Sequence, residues 1–115
     1  FYLDDLTNTI ECSIRFNKAA SRWEYMGSAG AWVVLTGSGQ AVLSNGWNRL
    51  ELEFDIKNKV YCGIVINGVI LDMTGLAANS SASSGTSWAK MVIAGITAGA
   101  AACEFYIDDV LILER

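Results

Sequence analysis

Histidine and proline are both absent from this sequence of 115 residues. Without histidine the chain has no Ser-His-Asp triad and no imidazole ligand for zinc, and it lacks the side chain that enzymes use most often as a general base. The absence of proline is unusual because the sequence has many turn signals, which are formed here by Gly, Asn and Ser. The missing histidine therefore excludes the commonest hydrolase and zinc chemistries.

Basic residues are also few. Eight Lys and Arg residues against twelve Asp and Glu residues give a net charge of −4, and no Lys/Arg cluster occurs anywhere in the chain. Because the phosphates of nucleic acids require a basic patch, we expect no nucleic-acid partner. No apolar run approaches the ~20 residues of a membrane-spanning helix, so we expect no membrane span.

The sequence is rich in hydrophobic residues, which make up 52% of it, while charged residues make up 17%. Its length fits one domain, residues 1–115, with one core. We expect the apolar surplus to lie in strands that are buried on both faces, or on surface covered by another subunit. The composition therefore favours a homo-oligomer.

Three cysteines, Cys12, Cys62 and Cys103, are too far apart in sequence for a CxxC site, and their odd number leaves at least one thiol unpaired. Each lies in an apolar strand pattern, so we expect buried, reduced cysteines. The alternative is a disulfide from Cys103 to Cys12 or to Cys62. The sequence begins at Phe1 without a signal-peptide pattern, so either its start was processed or it is a piece of a longer protein, and we expect the piece. We favour an extracellular or surface-associated location.

The most regular stretch runs from residue 47 to residue 72, WNRLELEFDIKNKVYCGIVINGVILD. Apolar and polar residues alternate strictly over residues 49–56, which predicts a half-buried strand. Lys57-Asn58 turns the chain into a second strand, and Asn67-Gly68 turns it back, since this pair tolerates the positive φ angles of a type I′ turn. The stretch therefore predicts a three-stranded antiparallel meander. In its middle strand, simple alternation places Tyr61 on the face opposite Cys62, Ile64 and Ile66.

The remaining chain reads as further short strands separated by Gly-, Asn- and Ser-rich turns. The predicted strands cover residues 9–16, 22–26, 31–36, 40–43, 88–95 and 102–113, and residues 74–87 form the longest predicted loop. This pattern predicts an all-β fold, an antiparallel β-sandwich of jelly-roll type. We expect Trp47 to be buried, and the predicted core residues are Leu50, Leu52, Phe54, Ile64, Ile66, Val92, Ile107 and Val110.

Residues 1–6, FYLDDL, and residues 105–110, FYIDDV, are near-copies of each other. They are interpreted either as neighbouring edge strands or, for the first copy, as the closing strand of a preceding similar domain. The order WNRLELEFD, YCGIVINGVILD and YIDDVLIL resembles the later part of concanavalin A-like (laminin-G-like) jelly rolls, over roughly residues 22–115. The resemblance implies a lectin-like, carbohydrate-binding module.

Carboxylates supply two candidate sites. Glu51, Glu53 and Asp55 share one face of the predicted strand, similar to the acid strand of laminarinase-type glycosidases, but with the Asp and Glu positions reversed. We therefore predict an exposed face and no enzyme activity. Asp108 and Asp109 resemble the closing strand of calcium-bearing sandwich modules, which implies a structural Ca²⁺ site that Asp4-Asp5 would complete if the two copies were adjacent. The alternative for Asp108 is a role in backbone hydrogen bonding.

Aromatic residues supply the third candidate site. Sugars stack their C–H faces on exposed rings, and Trp23 and Tyr25 alternate on one face of a short strand beside a Gly-rich turn, with Trp32 just beyond it. We predict a ligand-binding site at Trp23, Tyr25 and Trp32, with core packing as the alternative for each Trp. The predicted function is a non-catalytic module that binds a glycan. The alternative is a structural or assembly subunit that self-associates.

Overall fold

The computed structural model describes residues 1–4, 6–35, 47–83, 85 and 88–90, and within these ranges the chain forms β-strands and no helix. Accordingly, no helix of the described part is long and apolar enough to cross a membrane. The strands are β1 (Tyr2–Asp4), β2 (Asn8–Glu11), β3 (Ile14–Asn17), β4 (Arg22–Met26), β5 (Trp32–Val34), β6 (Leu50–Asp55), β7 (Val60–Ile66), β8 (Val69–Ala77), β9 (Asn79–Ala82) and β10 (Trp88–Lys90).

These strands form three antiparallel sheets, with the orders β10-β1-β2-β9, β3-β4-β5 and β6-β7-β8. The predicted all-β class is confirmed, whereas the jelly-roll sandwich stays a prediction. Strand β1 lies between β10 and β2, so the interpretation of the first FYxDD copy as an edge strand is wrong. The second copy, at residues 105–110, lies outside the described residues.

The predicted meander is confirmed as the sheet β6-β7-β8. The carboxylate of Asp55 accepts hydrogen bonds from the backbone N–H of Asn58 at 3.0 Å and from its amide Nδ2 at 2.7 Å, which fixes the first turn. The second turn has positive φ at both central residues, 51° at Asn67 and 86° at Gly68, as a type I′ turn requires. Both turns thus follow from local sequence.

A β-bulge at Cys62 interrupts this sheet. Phe54 pairs with Tyr61 and Glu53 pairs with Gly63, so Cys62 is an extra residue without a partner on β6. A bulge of one residue moves every later side chain to the other face of the strand. The prediction that Tyr61 faces away from Ile64 is therefore wrong, because Tyr61 at 0% exposure and Ile64 at 1% are buried together.

A corner at Cys12 and Ser13 divides the strand that was predicted over residues 9–16. Strand β2 stays in the sheet with β1, while β3 enters the sheet with β4. The hydroxyl of Tyr61 accepts a hydrogen bond from the Ser13 N–H at 2.9 Å and lies 3.0 Å from the Met26 carbonyl oxygen, to which it can donate. The Tyr61 side chain, which belongs to a distant strand, therefore provides hydrogen-bond partners for backbone groups at the corner, where the strand ladder is interrupted.

The predicted loop over residues 74–87 is wrong in its first half. Strand β8 continues to Ala77, and β9 pairs with β2 along its whole length. Ser80, Ser81 and Ala82 have exposed side chains in this strand. A strand of small polar residues is stable here because its backbone completes the ladder of β2, a contribution that requires no apolar side chain.

The core agrees with the prediction in the middle of the meander and departs from it at one end. Ile64 and Ile66 are buried as predicted, and Leu52 and Phe54 pack against the core while partly buried. Leu50 at 46% exposure and Trp47 at 67% exposure were wrongly predicted as buried, because they lie at or before the start of β6, the edge strand of the described sheet. Val92, Ile107 and Val110 lie outside the described residues. The buried apolar residues are Ile10, Cys12, Trp23, Leu35, Tyr61, Ile64, Ile66, Met73 and Ala78.

The two described cysteines carry free thiols. Cys12 is buried, as predicted, and its burial raises the pKa of the thiol to about 11. Cys62 is half-buried because the bulge places it outside the core cluster. Cys103 lies outside the described residues.

We predict that Tyr61→Phe lowers the free energy of unfolding by about 1–3 kcal/mol, because it leaves buried backbone groups of the corner without their partner. Urea unfolding measures the change. Tyr25→Phe is the matched control, since its ring also packs against the core but its hydroxyl has no hydrogen bond with the described residues. Equal effects of the two substitutions would show that the Tyr61 hydroxyl does not hold the corner.

Candidate functional site on the sheet β3-β4-β5

The inner face of the sheet β3-β4-β5 is aromatic. Phe16 pairs with Trp23 across β3 and β4, and their rings meet edge to face at 5.4 Å. Tyr25 follows on the same face and meets the Tyr61 ring at 5.5 Å, again edge to face. Such contacts are typical of aromatic packing in cores. This face is therefore joined to the core.

The predicted binding pair thus belongs to the inner face. Trp23 and Tyr25 do share one face, but Trp23 has an exposure of 5%, so the expectation that both rings are exposed is wrong. Tyr25 is half-buried. Core packing, which was the alternative for Trp23, is confirmed. Alternation defines two faces of a strand, and it was the packing against Tyr61 that decided which one turned inward.

Trp32 lies on the opposite, outer face. It pairs with Met26, and Glu24 pairs with Val34, so Trp32 shares its face with the even-numbered residues of β4. The Arg15 guanidinium lies over the Trp32 ring, 4.2 Å from the ring centroid, at the distance of a cation–π contact. The three predicted ligand-binding residues therefore do not form one surface, and Trp32 alone among them lies on the outer face.

An ion-pair network surrounds Glu24 on this outer face. Arg15 donates to Glu24 Oε2 from Nε at 2.7 Å and from Nη2 at 2.6 Å. Arg22 donates from Nε to Oε1 at 2.9 Å, and Asn17 donates from Nδ2 to the same oxygen at 3.2 Å. The Glu24 side chain is 3% exposed, whereas the Arg15 and Arg22 side chains are 44% and 45% exposed.

The electrostatics of the network follow from this geometry. The hydrogen bonds from Arg15, together with those from Arg22 and Asn17, hold the pKa of the Glu24 carboxyl below its ordinary value. The carboxylate is thus kept ionised, with both of its oxygens occupied. The guanidinium groups remain at the surface. We call Arg15, Asn17, Arg22, Glu24 and Trp32 the outer-face cluster.

The outer-face cluster was missed by the sequence reasoning apart from Trp32. The signal was present, because Arg15, Arg22 and Glu24 alternate with the aromatic residues of the same two strands. Period-two alternation of this kind predicts a polar face opposite a buried aromatic one. What it cannot predict is the pairing of Arg15 with Glu24, which depends on the register between β3 and β4.

The acidic residues of β6 lie on the exposed face that the sequence predicts. Glu51 and Glu53 are exposed, and Glu51 pairs with Arg49 at 2.9 Å. Asp55 is engaged in the turn, where hydrogen bonds from the backbone and side chain of Asn58 lower the pKa of its carboxyl. The three carboxylates therefore have different surroundings, and one of them has a structural role in the turn.

The calcium prediction falls largely outside the described residues, since these include neither Asp5 nor Asp108 and Asp109. Asp4 is described and fully buried. Its carboxylate accepts hydrogen bonds from the Leu6 N–H and the Thr9 hydroxyl at 2.9 Å, and from the Ser83 hydroxyl at 2.5 Å. Asp4 thus connects β1 to the ends of β2 and β9. Among the described side chains, no three Cys, Asp or Glu residues converge on a metal-sized site.

A pocket of about 300 Å³ lies beside the inner face of β5, bounded by Tyr25, Val33, Val34, Leu35, Asp72 and Leu76. Four of these six lining residues are aliphatic. The oxygen Oδ1 of Asp72 accepts a hydrogen bond from the Thr74 N–H at 2.9 Å. Because the only polar side chains of this lining are Asp72 and Tyr25, it provides few side-chain groups for orienting a sugar with many hydroxyls.

No protein-family model, curated protein or solved structure matches this chain. The class that the structure defines is an all-β protein whose described part forms three antiparallel sheets. The outer-face cluster joins four polar side chains and one aromatic ring on a single face of a sheet.

We predict that Glu24→Gln makes unfolding less dependent on pH. Because the folded-state pKa of Glu24 is lowered, its contribution to stability is present above the unfolded-state pKa and is lost as the pH falls through the folded-state pKa. The variant should therefore be less stable than the wild type at pH 7, and the difference should shrink below about pH 4.

Urea midpoints at pH 7, 4.5 and 3 measure this difference. Glu51→Gln is the matched control, because Glu51 is an exposed carboxylate with one arginine partner and an exposed pair contributes little. A difference between Glu24→Gln and the wild type that stays constant over this range would contradict the assigned network.

Proposed function

We propose that the protein is a non-catalytic binding module that holds a carbohydrate on the outer face of the sheet β3-β4-β5. The observation that carries the proposal is the placement of Trp32. Its half-buried ring lies beside hydrogen-bonding groups fixed in position by Glu24. This combination suits a sugar, because an aromatic surface contacts the C–H faces of its ring and polar groups bind its hydroxyls.

Preorganisation supports the proposal. The Arg15 side chain is fixed by Glu24 on one side and by the Trp32 ring on the other, so little of its rotamer freedom remains to be lost on binding. The register of β3 and β4 positions these groups on a rigid sheet rather than on a loop. The resemblance of the sequence to concanavalin A-like modules points to the same class of ligand.

The proposal excludes catalysis because the chain has no histidine and its acidic strand has an order of acids unlike that of the glycosidases it resembles. Within this proposal, Asp108 and Asp109 remain candidates for a structural Ca²⁺ site. A surface-associated or extracellular location would bring such a module to its glycans.

We predict that Trp32→Ala lowers the affinity for a bound glycan about tenfold or more, the loss typical of a central aromatic contact. Glycan-array screening identifies the ligand, and calorimetric titration measures the affinity, with the glycan recovered uncleaved. Trp47→Ala is the matched control, since Trp47 is 67% exposed and precedes a different sheet. Equal losses for the two variants, or none for Trp32→Ala with the fold intact, would remove the site from the outer face.

A second candidate function is self-association as a structural or assembly subunit. Exposed apolar side chains at the turn end of the sheet β6-β7-β8 favour it. Leu50 and Val69 pair with Ile66 from either side, with exposures of 46% and 37%, and Ile70 on the opposite face is 77% exposed. Apolar groups gathered at one end of a sheet are typical of an interface.

For this candidate we expect light scattering at micromolar concentration to give a mass near twice 12.4 kDa, and Ile70→Asp to return it to 12.4 kDa, because a buried unpaired charge opposes association. Val34→Asp is the control, since Val34 is 43% exposed on another sheet. A mass of 12.4 kDa throughout a dilution series of the wild type would reject self-association.

A further inference from the structure

We propose that the outer-face cluster selects acidic glycans, in which sugar rings carry carboxylates, over neutral ones. This inference rests on the proposed carbohydrate-binding function and adds the chemical class of the ligand. It follows from which hydrogen-bonding groups the cluster has already used and which it leaves at the surface.

In the outer-face cluster both carboxylate oxygens of Glu24 are occupied by hydrogen bonds, whereas arginine N–H donors lie at the surface. Both oxygens of Glu24 accept hydrogen bonds from the protein, and the side chain is 3% exposed, so this carboxylate has little access to a ligand. A guanidinium has five N–H donors. Arg22 contacts Glu24 through Nε, which leaves the donors of its two terminal nitrogens beyond this contact, and its side chain is 45% exposed.

The charge of the cluster also favours a ligand with a carboxylate. Two guanidinium groups against one carboxylate leave a local charge of +1, in a chain whose net charge is −4. A neutral sugar hydroxyl both donates and accepts, whereas an ionised carboxylate only accepts and can take two parallel hydrogen bonds from an arginine. A donor-rich surface with local positive charge therefore complements a sugar carboxylate better than a hydroxyl.

Trp32 makes the site specific for a sugar rather than for any anion. The acidic chain as a whole repels polyanions, so local attraction by the two arginines has to be combined with contact at the ring. The Arg15 guanidinium covers part of the Trp32 ring and uses Nε and Nη2 on Glu24. A sugar in contact with the uncovered part of the ring would therefore direct its carboxylate to Arg22, whose terminal nitrogens lie outside its contact with Glu24.

The test compares matched ligands. Oligogalacturonate and alginate oligomers are titrated beside their carboxyl-reduced neutral forms of equal length, and polyglutamate serves as an anion without sugar. We expect each acidic form to bind about fivefold or more tightly than its neutral form, the scale of one well-oriented exposed ion pair. Polyglutamate should not bind measurably.

Arg22→Gln should lower the affinity for the acidic form more than that for the neutral form, so that the preference is lost, and Arg22→Lys should keep part of the preference because it retains the charge without the planar fork. Arg49→Gln is the matched control, since Arg49 is a 78% exposed arginine on another part of the chain, paired with Glu51. Urea midpoints establish that each variant is folded.

The outcomes separate this inference from the proposed function. Equal affinity for acidic and neutral forms, or an acid preference that survives Arg22→Gln, would overturn the inference and leave the carbohydrate-binding function in place. Polyglutamate binding as tight as that of the acidic glycans would overturn it in favour of simple charge attraction. If the protein binds none of the acidic and neutral glycans of a broad array, the proposed function itself is overturned.

Discussion

The hydroxyl group of Tyr61 joins parts of the described structure that lie far apart in the sequence. It lies on β7, yet it accepts a hydrogen bond from Ser13 and lies within donating distance of the Met26 carbonyl, so it holds the corner between β2 and β3 together with the end of β4. This contact depends on the bulge at Cys62, which turns the Tyr61 ring to the buried face. Burial also raises the pKa of the hydroxyl, so it stays protonated and able to donate.

The corner has a direct consequence for the candidate site. Because β3 leaves the first sheet at Ser13, it pairs with β4, and this register places Arg15 directly opposite Glu24. The Tyr25 ring then packs inward against the Tyr61 ring, and the Phe16 and Trp23 rings meet on the same face. The outer face is left to charged residues and Trp32. The buried aromatic face and the outer-face cluster are thus opposite faces of the same strands, and the register of β3 and β4 sets both.

The two functional proposals belong to different surfaces with different chemistry. The outer-face cluster is polar, fixed by ion pairs, and suited to a ligand with many oxygen atoms. The turn end of the sheet β6-β7-β8 has exposed Leu50, Val69 and Ile70, and is suited to an apolar partner such as a second copy. Because the surfaces belong to separate sheets, substitutions on one should leave the other intact, and a module that both binds and assembles is physically consistent.

Local sequence determined the all-β class, the alternation of β6 and the turn at Asn67-Gly68, because each depends on residues next to one another in the chain. The alternation of polar and aromatic residues also distinguished the two faces of β4. Only the tertiary structure decided that Trp23 faces the core, that Tyr61 joins Ile64, and that small polar residues form β9. The physical reason is that period-two alternation defines opposite faces without assigning one to the interior. That assignment depends on a bulge and on a hydrogen bond between residues 48 positions apart, Ser13 and Tyr61.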